Sequence, residues 1–108
     1  VAAGRFSVNR FVELVSTTPA KLFGLYPRKG TIAAGSDADL VIFDPIRKHT
    51  ISAKTHHMRV DYSMFEGIEV TGMPQAVLSR GQILLQAEKF LGRPGSGQFL
   101  RRSLYSEP

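Results

Sequence analysis

The side chains best suited to metal or acid–base chemistry are three histidines, His49, His56 and His57, and three carboxylates, Asp37, Asp39 and Asp44. A metal site needs donors that converge on one point. His56 and His57 are adjacent, and neighbouring residues of an extended chain point to opposite faces. They therefore diverge, and all three histidines are expected to be exposed or loosely packed. The aspartates fall at turns and strand ends, where a short carboxylate bonds nearby backbone N–H groups. No catalytic role is expected of them. There is no cysteine, which excludes disulfides and thiolate metal sites and leaves the redox compartment unread. The run Gly92-x-Pro-Gly-x-Gly97 superficially resembles a phosphate loop. It follows no strand–helix unit and has no Lys-Ser/Thr ending, so it reads as a flexible or docking tail. No catalytic or metal-binding role is therefore expected of these residues.

Charge adds little. Lys and Arg number 14 against 9 acidic residues, a net charge of +5. A nucleic-acid-binding module would interleave a basic stripe with exposed aromatics. Here the basic residues come as scattered pairs, Arg28–Lys29, Arg47–Lys48 and Arg101–Arg102. They read as solvated surface, and no nucleic-acid partner is expected. With 43% hydrophobic and 21% charged residues the composition is that of a soluble globular protein. No apolar run nears the ~20 residues of a membrane span, and the start lacks the order of a signal peptide. A cytoplasmic location is the expectation. The first residue is Val1, not Met, which fits a processed start or a piece of something longer.

The elements that would position these groups are short. Phe11, Leu14 and Val15 lie at i, i+3, i+4, one apolar stripe of a helix over Arg10–Ser16, with Ser7 or Asn9 as its cap. Thr17-Thr18-Pro19 ends that helix and opens a second over Pro19–Phe23, with Thr18 as cap and Pro19 in the first turn. Gly24 closes it in the left-handed conformation. Turns are expected at Tyr26–Gly30 and Ala34–Asp37, with a short strand at Thr31–Ala33 between them. Leu40–Phe43 is a continuous apolar strand suited to burial on both faces, stopped by Asp44-Pro45, with a further strand at Lys48–Ser52. Thr55–Thr71 reads as an extended loop with a strand near Ile68–Val70. Gln75–Leu78 and Gln82–Leu85 form a hairpin, with Gly81 supplying the positive φ of its turn. From Leu91 the chain is a tail without its own core.

Large apolar groups in loop-like stretches raise the question of a subunit interface, where aromatic residues and Met are enriched. The candidates are Tyr62, Met64 and Phe65 in the long loop, and Phe99, Leu100 and Tyr105 in the tail.

The segments Arg10–Leu25 and Gly30–Asp44, the second running Gly-Thr-Ile-Ala-Ala-Gly-Ser-Asp-Ala-Asp and then an apolar strand, resemble the return from barrel to sandwich in cyclic amidohydrolases. Tyr26-Pro-Arg-Lys-Gly30, Asp61-Tyr-Ser-Met-Phe-Glu-Gly67 and Gly92-Arg-Pro-Gly-Ser-Gly-Gln-Phe-Leu100 narrow the resemblance to dihydropyrimidinases and D-hydantoinases. It covers nearly the whole chain. It implies an α+β segment: two short helices from the end of a TIM-type barrel (1–29), part of a composite β-sandwich (30–90), and an extended tail (91–108) in subunit contact. The parent it implies is a homo-oligomer, a dimer or tetramer, that hydrolyses the cyclic amide bond of dihydropyrimidines or 5-substituted hydantoins with two zinc ions and a carboxylated lysine. The family's metal ligands lie upstream of every segment matched, so none is carried over. A barrel needs about 250 residues, more than this chain has.

Two other functions stand beside this one: a fragment of the non-catalytic relatives, the collapsin response mediator proteins, and an independent basic nucleic-acid-binding module. On the amidohydrolase reading the apolar helix stripe and the sheet edges lack their partners. The chain is then expected not to be self-sufficient as a monomer.

Overall fold

The computed structural model describes residues 1–104. Helical backbone runs unbroken from α1 (Val8–Val12) through a π-helical stretch (Glu13–Thr17) into α2 (Thr18–Leu22). Four strands follow, β1 (Leu40–Thr50), β2 (Glu69–Ser79), β3 (Gln82–Gln86) and β4 (Lys89–Phe90), in one sheet of order β1-β2-β3-β4. The β1–β2 and β3–β4 pairs are antiparallel, and the two-residue link between β2 and β3 requires the same of that pair.

The two predicted helices are one. Ser7 caps it, accepting from Arg10 N–H at 3.2 Å. Thr17-Thr18-Pro19 widens the helix instead of ending it. Pro19 has no N–H to give the preceding turn and its ring crowds the carbonyl four residues back. The chain responds with longer bonds, Thr18 N–H donating to Glu13 O, the local expansion that defines a π-bulge. Thr18 is inside the helix and caps nothing, while the Thr17 hydroxyl donates to Gly30 O at 2.8 Å. Gly24, at φ +67°, closes the helix as expected. Leu25 N–H returns to Ala20 O at 2.8 Å and Gly24 N–H to Lys21 O at 3.1 Å, the bond pair of a Schellman cap.

Thr31–Ala33 is no strand. The strand at Leu40 does not stop at Asp44-Pro45 but runs on to Thr50, taking in most of the stretch predicted as a separate strand. Asp44 explains the continuity. Its Oδ1 accepts from Ile46 N–H at 3.0 Å and from Arg47 N–H at 3.3 Å, so a bulge forms without stranding its amides and pairing resumes at Lys48↔Thr71. Pro74, which cannot donate to a ladder, sits beside the second register shift, opposite Phe43. The predicted β2–β3 hairpin is present, with both Arg80 (φ +47°) and Gly81 (φ +78°) in the left-handed region, as a type I′ turn needs. A second such turn, Ala87-Glu88 at φ +47° and +67°, leads into β4 without any glycine.

Backbone contacts divide the chain into two units. The first holds Val1–Asp39, the turn Ser79–Gly81 and the described tail from Arg93; the second holds Leu40–Leu78 and Gln82–Gly92. Among the described residues only Ala20, in the first, and Ala76, in the second, are buried apolar side chains. Phe11, Leu14 and Val15 are exposed along the helix. Val41, Ile42 and Phe43 of β1 are each at least half exposed, contrary to the two-sided burial expected of so apolar a strand. Among the described residues both units therefore carry apolar faces that are exposed.

Candidate functional site

The densest polar cluster lies in the first unit. The turn at Tyr26–Gly30 brings Arg28 and Lys29 opposite the aspartates of the next turn. Arg28 Nε donates to Asp37 Oδ2 at 3.0 Å, and Lys29 Nζ bridges Asp37, also at 3.0 Å, and Asp39. The Lys29 side chain is only 18% exposed. Asp39 reaches further, its Oδ1 accepting from Arg80 N–H at 2.8 Å, while Gly81 N–H donates to Ala38 O at 3.0 Å. The Arg80 guanidinium in turn donates to Ser96 O of the tail. Three turns and the tail are thus joined through Lys29, Asp39 and Arg80.

The charges respond accordingly. Hydrogen bonds from Lys29 and Arg28 hold Asp37 below the usual carboxylate range. Burial alone would raise Asp39, but bonds from Lys29 and from Arg80 N–H outweigh it and hold Asp39 low as well. Burial would lower Lys29, yet the two aspartates overcome it and its pKa is raised. Lys29, Asp37 and Asp39 are each favoured in the charged form and paired. This suits a structural brace and leaves no carboxylate free as a base or ligand.

The candidates singled out in the sequence do not assemble. Asp44 serves its own bulge. His49 lies in β1 opposite Val70. His56 Nδ1 accepts from Met58 N–H at 3.0 Å, and the His57 ring is turned to Phe90 with centroids 6.1 Å apart. Among the described residues no three His, Asp or Glu side chains are grouped as a metal would require. A binuclear zinc site does not fit the donors among the described residues.

The interface candidates sit on exposed backbone. Tyr62 (72% exposed), Met64 (85%) and Phe65 lie in the long loop of the second unit, and Phe99 (90%) in the tail of the first. Leu100 is half-buried. Tyr105 lies outside the described residues. The tail is anchored near its end, where Ser103 N–H and hydroxyl both donate to Gly24 O at 2.8 and 3.0 Å.

The sequence profile of the amidohydrolase family matches residues 1–84. The chain belongs to the amidohydrolase family. Relatives of this amidohydrolase segment include a D-hydantoinase of Geobacillus stearothermophilus, 57% identical over 105 residues, covering 97% of the chain and 22% of the relative. The dihydropyrimidinase of Rattus norvegicus is 48% identical over 107 residues, 99% of the chain and 21% of the relative. Among solved structures, D-hydantoinase from Bacillus sp. AR9 superposes with a TM-score of 0.96 at 55% identity, covering all of this chain and 24% of that one. Dihydropyrimidinase from Brevibacillus agri gives 0.96 at 51% identity, over 100% and 23%. The amidohydrolase segment therefore spans about a fifth of the length of the curated relatives it matches.

Proposed function

We propose that this chain is the C-terminal portion of a metal-dependent cyclic amidohydrolase of the hydantoinase and dihydropyrimidinase type, and that its part in that enzyme is structural and oligomerising. The observation that carries the reading is similarity along nearly the whole chain, at 57% identity, to a D-hydantoinase of which it represents 22%. The complete protein would open the cyclic amide of dihydropyrimidines or 5-substituted hydantoins. Its binuclear zinc site, with a carboxylated lysine, would lie in a barrel outside this segment. Such a metal pair lowers the pKa of a bound water and polarises the amide carbonyl. The residues described here brace turns and supply surface instead.

On this reading residues 1–29 close the barrel, 30–90 form part of the sandwich and 91–108 reach a neighbouring subunit. The exposed, apolar faces of the helix and of β1 support a covering by the remainder of the enzyme. The exposure of Tyr62, Met64, Phe65 and Phe99 on loop and tail supports a role in subunit contact, since buried aromatic anchors dominate many interfaces. The composition, ordinary for a soluble protein, is in keeping with a cytoplasmic enzyme.

The test is ring opening of hydantoin and dihydrouracil, followed by chromatography of the N-carbamoyl product. The complete protein should turn over one or both and lose activity to a chelator. The 108-residue chain should do neither, with or without added zinc. Turnover by this chain alone would overturn the assignment of its role.

A further inference from the structure

We infer that residues 52–67 form a clasped loop, closed by the Glu66 side chain, that opens as one body without breaking the β1–β2 ladder. Two sets of bonds close its neck. At the base, Ile51 N–H donates to Ile68 O at 2.9 Å and Gly67 N–H donates to Ile51 O at 2.8 Å. Two residues thus stand opposite one, with Gly67 at φ +82°, the bulge that bends a strand at a left-handed glycine. A Cβ added at Gly67 would meet nothing within 4 Å, so the backbone angle, not crowding, calls for glycine. This base belongs to the sheet.

Above the base one side chain makes the closure. Glu66 accepts from Ala53 N–H at 2.7 Å through one carboxylate oxygen and from the Ser52 hydroxyl at 2.8 Å through the other. Those bonds, Ala53 first, hold its carboxyl below the usual carboxylate range, and a charged acceptor bonds more strongly than a neutral one. Each stem of the loop is ordered around a serine. On the first, Ser52 Oγ accepts from Lys54 N–H at 3.2 Å, and Ser52 O accepts from Thr55 N–H at 3.1 Å and from His56 N–H at 3.2 Å. On the second, Ser63 Oγ accepts from Phe65 N–H at 3.2 Å and Ser63 O from Glu66 N–H at 3.2 Å. The Glu66 carboxylate links the two turns. Single turns are marginal in water, and linked ones open as a cooperative unit. Loss of the clasp therefore loosens both stems while bulge and ladder stay. Tyr62, Met64 and Phe65 ride on this loop, so they are presented or withdrawn together.

Hydrogen exchange of the intact protein tests this, resolved to single residues by fragmentation and corrected for intrinsic rates. In Glu66→Ala, exchange at Ala53, whose acceptor is gone, should rise about tenfold, the scale of one lost hydrogen bond. Thr55, His56 and Phe65, whose acceptors are the two serines, should rise by a similar factor. Amides of β1, and of β2 from Val70 onward, should keep wild-type rates. Glu66→Gln, which keeps the shape and one acceptor oxygen, should release the same set to a smaller extent, and it decides the matter where the alanine variant does not fold. Unchanged loop amides in both variants, or a rise at Ala53 alone, would overturn the proposal, because the bond would then order nothing beyond itself. So would a rise that spreads through β1 and β2, because the loop would then be no unit of its own.

Discussion

Lys29 stands at the centre of the polar cluster in the first unit. It is mostly buried, it bridges Asp37 and Asp39, and Asp39 in turn holds the Arg80 turn. Lys29→Met should cost on the order of 1 kcal/mol in thermal unfolding of the intact protein, since a shielded, hydrogen-bonded pair exceeds the usual surface ion pair. The pH dependence has a definite sign. Asp37 and Asp39 are held below their ordinary values, so their contribution is complete above about pH 4 and is lost as pH falls through the depressed values. Lys29 is raised, so its contribution is complete below about pH 10 and is lost on further alkalinisation. The gap in melting temperature between wild type and Lys29→Met should hold steady from about pH 5 to about pH 9 and narrow in acid. A gap that widens in acid would contradict the pairing. None of this was legible in the sequence. In the sequence the aspartates look like local turn formers, which holds for Asp44. The partners of Asp37 and Asp39 lie nine and ten residues away across two turns, and no periodicity marks such a spacing.

Among the elements, those with a local cause were the legible ones. Ser7 and Gly24 cap the helix because a hydroxyl and a left-handed glycine suit its two ends, and Arg80-Gly81 makes the hairpin turn. What misled was punctuation. Pro19 and Pro45 read as breaks, yet the helix absorbs the first as a π-bulge and the sheet absorbs the second in a bulge served by the Asp44 carboxylate. The β3–β4 turn leaves no mark in the sequence because Ala87-Glu88 has none of the residues that favour positive φ. That strain makes a prediction. Ala87→Asn, which tolerates the left-handed region, should raise stability by about 0.5 kcal/mol in denaturant titration of the intact protein. Gly30→Ala should do the reverse. At φ +83° a new methyl would run into the Ala20 side chain and the helix backbone at Ser16 and Thr17. A loss of more than about 1 kcal/mol is expected.

At the scale of the whole molecule, apolar pattern and actual burial part company. Helix stripe and β1 carry the residues of packed faces, yet Ala20 and Ala76 are the buried apolar side chains among those described. The sequence shows which faces are apolar but not what covers them, because an apolar pattern marks a face without naming its partner. The isolated chain should associate or unfold, so sedimentation at tens of micromolar should show no monodisperse monomer with a cooperative melt. On the function proposed above, the segment completes a hydantoinase without supplying its chemistry. The most direct measurement is the rate of hydantoin ring opening by the Geobacillus stearothermophilus D-hydantoinase in which the 105 matched residues are replaced by those of this chain. The chimera should fold, bind metal as its parent does, and turn over within about tenfold of it, a margin of 1.4 kcal/mol in the barrier. A chimera with the parent's metal content and assembly but no turnover would contradict the account, because this chain would then fail to complete the enzyme type to which it is assigned.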